Sequence, residues 1–342
     1  MRAFITGLAG AALTQAERGF LREAQPWGLI LFKRNVTEPS AVRRLVEDAR
    51  AALGREAPVL VDQEGGRVQR LGPPHWSSYP PGAAYGAIYD RDREAGLAAA
   101  RLGARLIAAD LAPLGIDVDC LPLADVQSAD ASPAIGDRGY GATADKVAAI
   151  AGAVAQGLRE GGVLPVLKHM PGHGRAAVDT HVSLPVVDAD RATLEATDFA
   201  AFRPLAALPL GMTAHVVFRA IDPVAPATLS ATIVRDVIRD SIGFKGLLMS
   251  DDISMGALSG SVAERSRAAL AAGCDVVLHC NGEMAEMLAV AGAVPLLAGA
   301  SARRAAAALA AKPPAVPIEL AAARAQFAGL MAGVWQPAPG YA

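Results

Sequence analysis

Gly162-Val163-Leu164-Pro165-Val166-Leu167-Lys168-His169 decides the fold when read with its neighbours, the helical pattern Thr143–Glu160 before it and a glycine-punctuated loop after it. The apolar run is too short and too uniform for a half-exposed strand. It reads as a strand buried on both faces, which is the habit of parallel sheets. A helix, a buried strand and a polar loop make one unit. The same kind of run recurs at Ala3–Thr6, Gly28–Phe32, Pro58–Val61, Ile116–Leu121, Leu210–Thr213, Gly246–Met249 and Asp275–Leu278. That makes eight strands separated by alanine-rich helical stretches, which predicts an α/β protein of the (β/α)8 TIM-barrel type rather than an open sheet. No glycine fingerprint for a dinucleotide or a nucleoside triphosphate follows any of the strands.

Helix signals fill the gaps. Thr37 or Ser40 is placed to open a helix through Ala51, Ser230 one that ends before Gly243, and Ser259 or Ser261 one that ends before Gly273. Further patterns cover Thr14–Ala24 and Ala95–Leu114. Beyond Gly282 come helical stretches, a proline-rich break at 313–317 and a last helix, Leu320–Val334, expected outside the barrel. No linker divides the chain, so residues 1–342 are expected to form one catalytic domain.

The composition fits a large core: 52% hydrophobic and 19% charged residues over 342 positions. A net charge of −2 leaves no electrostatic footprint for nucleic acid or an anionic membrane. No apolar run approaches the ~18 residues of a membrane span, and the N-terminus has no signal-peptide pattern. Three cysteines, Cys120, Cys274 and Cys280, fit free thiols in a reducing compartment. A cytoplasmic monomer is expected.

Barrel active sites gather at the C-terminal ends of the strands. Those ends carry Arg34-Asn35, Asp62-Gln63-Glu64, Asp125, Lys168-His169, His215, Asp251-Asp252 and Asn281. Asp62 to Arg70 brings acids and arginines around a glycine turn, a set suited to sugar hydroxyls. A structural ion-pair network is the plainer reading of Glu64 and Arg67 within it. Only one of Asp251 and Asp252 is expected to face the mouth, with Asp252 or Ser250 capping a following short helix. The loop after Lys168 continues Met170-Pro171-Gly172-His173-Gly174-Arg175-Ala176-Ala177-Val178-Asp179-Thr180-His181. Asp179 and His181 lie two apart, so on an extended segment they share a side, and a carboxylate against an imidazole makes an acid/base for neutral pH. A metal-dependent hydrolase using His169, His173, His181 and an aspartate is one rival, weakened by the cationic Lys168. A non-catalytic sugar-binding barrel is the other.

Lys168 to Gly174 followed by Asp179-Thr180-His181 resembles the signature of β-N-acetylhexosaminidases of glycoside hydrolase family 3. Gly28–Asn35, Val61–Arg70, Asp137–Gly141, Met212–His215 and Ser250–Asp252 resemble further family segments in the expected order. Met170 stands where phenylalanine is usual, and Arg175 where an acid is common. The resemblance implies Asp251 as catalytic nucleophile, His181 as general acid/base and Asp179 as its partner. It implies Asp62, Arg70, Arg138, Lys168 and His169 as ligands of the sugar hydroxyls, with no metal or organic cofactor. The implied activity is retaining removal of non-reducing N-acetylglucosamine from GlcNAc-β-1,4-anhydro-N-acetylmuramic acid, with or without a peptide stem, in Gram-negative peptidoglycan recycling. Phosphate remains a conceivable acceptor in place of water. The loop is expected to move, with Gly172 and Gly174 as hinges.

Overall fold

The computed structural model describes residues 1–128, 134–176, 178 and 183–337. Eight parallel strands close into a barrel: β1 (Arg2–Gly7), β2 (Pro26–Leu31), β3 (Val59–Val61), β4 (Val118–Asp119), β5 (Leu164–Met170), β6 (Leu210–Thr213), β7 (Leu247–Asp252) and β8 (Val276–His279). Each pairs with its sequence neighbours, and β8 closes on β1 with Phe4 opposite Val277. All eight runs expected from the sequence are strands, though the fourth is shorter than its apolar stretch.

Alternation along the strands divides the core in two. Ile5, Ile30, Leu60, Val118, Val166, Met212, Met249 and Val276 fill the barrel interior. Phe4, Leu29, Val59, Leu167, Leu248 and Val277 face outward into the layer beneath the helices. Both faces are apolar, which is why the strands read as continuous hydrophobic runs.

Capping chemistry sets the helix starts. Thr14 and Glu17 form a reciprocal capping box before helix Gln15–Ala24, and Ser261 with Glu264 does the same before Val262–Ala272. The Ser230 hydroxyl accepts the amide of Ile233 at 3.1 Å as expected, but the turns that follow, Ile233–Ser241, are wound as a π-helix. Neither Thr37 nor Ser40 caps its helix. That helix is Pro39–Leu53, with Glu38 at the cap position and proline supplying the preset first turn. The last helix, Leu320–Met331, lies outside the barrel, with Phe327 against Tyr79 and Tyr85. Among the described residues no helix is long and apolar enough to cross a membrane.

Candidate active site

A cavity of about 260 Å³ opens at the C-terminal mouth of the barrel. Asp62, Glu64, Arg70, Arg138, Lys168, His169, His173, Asp251 and Asp252 line it, with Phe32, Met212 and Met255 among its apolar walls.

Its floor is a line of alternating charges. The Lys168 ammonium, only 2% exposed, donates to Asp62 Oδ1 at 3.1 Å and lies 2.6 Å from Glu64 Oε1. The other Asp62 oxygen accepts Arg70 Nη2 at 3.0 Å. Glu64 receives a fork from Arg138, with Nε and Nη2 each at 2.8 Å. Burial opposes ionisation of both acids, but the cations outweigh it. Lys168 and Arg70 hold Asp62 well below the usual carboxylate range, and Arg138 and Lys168 bring Glu64 down to about 2. Burial likewise opposes the Lys168 cation, and Glu64 and Asp62 overcome it, raising its pKa.

Local structure delivers these groups. Gln63–Gly65 and Val68–Gln69 form a small antiparallel ribbon turned by Gly65 and Gly66, at φ 94° and 57°. A Cβ on Gly65 would meet Pro80 O at 2.3 Å, so glycine is required there. The buried Gln63 side chain accepts the amides of Arg70 and Leu71, both at 3.0 Å, and folds Arg70 back over Asp62. Arg138 is set by helix Gly82–Arg91, whose Gly82 and Gly86 come so close to the carbonyls of Arg138 and Tyr140 that a Cβ would clash at 2.1 and 2.2 Å. Phe32 lies under two guanidiniums, 4.9 Å from Arg34 and 5.3 Å from Arg70.

Asp251 stands on the opposite wall, on β7. Its Oδ1 accepts the amide of Asp252 at 2.8 Å. Burial works against its charge, but His215 and His169 outweigh it, so the carboxyl is held below its ordinary pKa. Asp252 is used differently. Its Oδ1 accepts the amides of Ser254 and Cys280, and its Oδ2 accepts the Ser254 hydroxyl at 2.6 Å. That ties it to a turn rather than to a helix cap. Ser250 is also structural, accepting the Leu278 amide at 2.9 Å. Behind Asp251, His215 Nε2 donates to the Asp252 carbonyl at 2.9 Å, and its Nδ1 meets the Thr228 hydroxyl at 2.8 Å.

β5 leads into the loop that the sequence marks most strongly. Its register against β6 shifts between Leu167 and Met170, and Lys168 and His169 both line the cavity although adjacent. The loop's first half is anchored. Met170, His173 and Ala176 are buried, and Arg175 donates to Asp198 at 2.6 Å and to the Thr197 hydroxyl at 2.9 Å. The Arg175 departure therefore ties the loop down. Gly174 is a close-approach glycine, since a Cβ would sit 1.9 Å from Val126 O. Asp179 and His181 lie outside the described residues.

The structure thus brings together Asp62, Arg70, Arg138, Lys168, His169 and Asp251. The ion-pair network expected for Glu64 and Arg67 is present, with Lys168 and Arg138 on Glu64 and Asp137 on Arg67 at 3.1 Å, but Glu64 also lines the cavity. The missed signal was spacing, because Asp62 and Glu64 are two apart on an extended segment and share a face. Asp125 was visible only as a polar strand end, yet it is fully buried against His169. Among the described residues no three metal-ligating side chains form a group that could hold a metal ion.

Residues 5–308 match the model of the glycosyl hydrolase family 3 N-terminal domain. The beta-hexosaminidase of Alkalilimnicola ehrlichii is 39% identical over 279 residues, 80% of this chain and 79% of that protein. The NagZ of Neisseria gonorrhoeae in complex with zinc ion superposes with a TM-score of 0.86 at 30% identity, covering 97% of this chain and 98% of that one. The same protein in complex with N-trifluoroacetyl-D-glucosamine gives 0.85 at 30% identity, covering 97% and 96%.

Proposed function

The chain belongs to glycosyl hydrolase family 3 as a β-N-acetylhexosaminidase, and we propose that it removes non-reducing N-acetylglucosamine from GlcNAc-β-1,4-anhydro-N-acetylmuramic acid and its muropeptides during peptidoglycan recycling. The proposed setting is the cytoplasm and the proposed state a monomer. All three cysteines are free and buried, in keeping with a reducing compartment. The N-trifluoroacetyl-D-glucosamine held by the gonococcal neighbour supports an N-acylated glucosamine in the cavity.

One observation carries the mechanism. Of the four carboxylates lining the cavity among the described residues, Asp62 and Glu64 are paired with cations and Asp252 is tied into a turn. Asp251 alone keeps electron pairs for chemistry. In the first step its oxygen attacks the anomeric carbon as the glycosidic C–O bond breaks, and His181 gives a proton to the departing oxygen. In the second, His181 takes a proton from water, which attacks the same carbon and releases Asp251. Each displacement inverts, so the sugar leaves with retention. Asp179 orients His181. Asp62, Arg70, Arg138, Lys168 and His169 hold the sugar hydroxyls. Among the described residues no cavity acid is left over to protonate the leaving group, which supports giving that role to His181.

The test is product analysis on purified GlcNAc-anhydro-muropeptide, with and without phosphate. Free N-acetylglucosamine, released first as the β-anomer by NMR, is expected under both conditions. A sugar phosphate would make phosphate the acceptor, an α-configured first product would overturn retention, and no cleavage would overturn the substrate.

A further inference from the structure

Asp125 emerges just beyond β4, beside the end of β5, where the Ala124 amide donates to Lys168 O at 2.7 Å. It is wholly buried and gathers three donors. His169 Nδ1 lies 2.8 Å from Oδ2, while the amides of His173 and His169 reach Oδ1 at 2.7 and 3.3 Å. Burial opposes its charge, but His169 and His173 outweigh it and keep the carboxyl below its ordinary pKa. An ionised carboxylate only accepts, so the Nδ1 of His169 must carry the hydrogen. The edge of the His173 ring packs against the same imidazole, with centroids 5.6 Å apart. His169 lines the cavity, and among the described residues its Nε2 has no protein partner.

We infer that Asp125 is a positioning residue for sugar recognition, fixing the Nδ1–H form and the ring orientation of His169 so that Nε2 is the atom offered to a sugar hydroxyl. The inference rests on the reading of this cavity as the N-acetylglucosamine site. The same carboxylate also holds the His173 amide, so one buried group ties the sugar-reading imidazole to the root of the loop.

Asp125→Asn separates this role from packing. The asparagine oxygen must stay on the two amides, which can only donate. Its NH2 then faces Nδ1 and donates to it, forcing the hydrogen onto Nε2. Loss of kcat/KM on an aryl N-acetylglucosaminide should be about 10–100-fold, as for carboxylates behind metal-bound histidines. In a His169→Ala background the same change should cost no more than about twofold. Equal losses in both backgrounds would make Asp125 merely structural and overturn the inference. If Asp125→Asn does not fold, nitrogen-15 NMR of the wild-type histidines decides. With its ring singly protonated, His169 should show Nδ1–H, and an Nε2–H form would sink the idea. That measurement needs no substrate, so it stands apart from failure of the proposed activity.

Discussion

Two walls of the barrel mouth carry carboxylates, and they are built on opposite plans. β3 and β7 stand four places apart in the ring of eight, so Asp62 and Glu64 face Asp251 across the cavity. The β3 acids are saturated: Lys168 lies between them, Arg70 closes one end and Arg138 forks onto the other. Asp251 has one backbone amide and the nearby imidazoles of His215 and His169. A carboxylate locked between cations is a rigid acceptor that costs little to reorganise when a hydroxyl arrives. A carboxylate with free lone pairs on a strand end suits the nucleophile proposed for Asp251. The sequence motif is equally acidic on both walls, and only the partners divide the labour.

The sharpest way to break this division is to exchange the acids' fates. Asp251→Ala should lose turnover by on the order of 10⁴–10⁶-fold, as loss of a nucleophile does elsewhere. Asp252→Asn should be milder, since its carboxylate serves Ser254 and Cys280. A dead Asp252 variant beside an active Asp251 variant would reverse the assignment. A fluorinated-sugar trap with peptide mapping should place the adduct on Asp251.

Next in size is the proposed proton donor, His181. His181→Ala should slow turnover of natural glycosides by about 10²–10⁴-fold. Aryl substrates with good leaving groups should lose much less in the glycosylation step, and Asp179→Asn should follow the same pattern more weakly. Pre-steady-state rates on both substrate types check this. Equal losses on the two would remove His181 from the acid/base role.

Lys168→Met probes the binding wall. It leaves two buried carboxylates side by side without the cation they share, and breaking such pairs costs about 3–5 kcal/mol. A large drop in thermal stability with weakened N-acetylglucosamine binding is expected by calorimetry. A variant with wild-type stability and binding would show that the charges do not work as a unit.

Much of this architecture is legible in the sequence because barrel strands are apolar on both faces and their ends are polar. What was not legible depends on approach between distant segments. Helix Gly82–Arg91 has glycines at 82 and 86 that weaken its helical signal, and they are there so that the backbone can close on the segment holding Arg138. Glu64 reads as part of an ion-pair network, but its partners do not show, because sequence distance is all that a motif offers. Its true partners lie 74 and 104 residues away (138 − 64 and 168 − 64). Asp125 resembles any polar strand end until β5 is laid beside it.

The smallest expected effect concerns pH, and it separates the cation-saturated wall from the buried His173 on the loop after β5. His173 has its pKa lowered from 6.5 to about 4, first by burial and then by neighbouring His169. Its native state therefore refuses a proton that the unfolded chain accepts, and between roughly pH 6.5 and 4 stability should fall as pH falls. Glu64 works in a lower window. Its carboxyl sits at about 2 against 4.5 unfolded, so its contribution is whole above about 4.5 and disappears as pH drops towards 2. Asp62 shifts in the same direction. His173→Phe should thus flatten the stability profile between pH 6.5 and 4.5 while leaving the steeper loss below 4 in place. Thermal denaturation across pH 3–8 reads both limbs. If the variant keeps the wild-type slope above pH 4.5, the buried imidazole is not the group that sets it, and the cation-saturated wall would have to titrate far higher than its ion pairs allow.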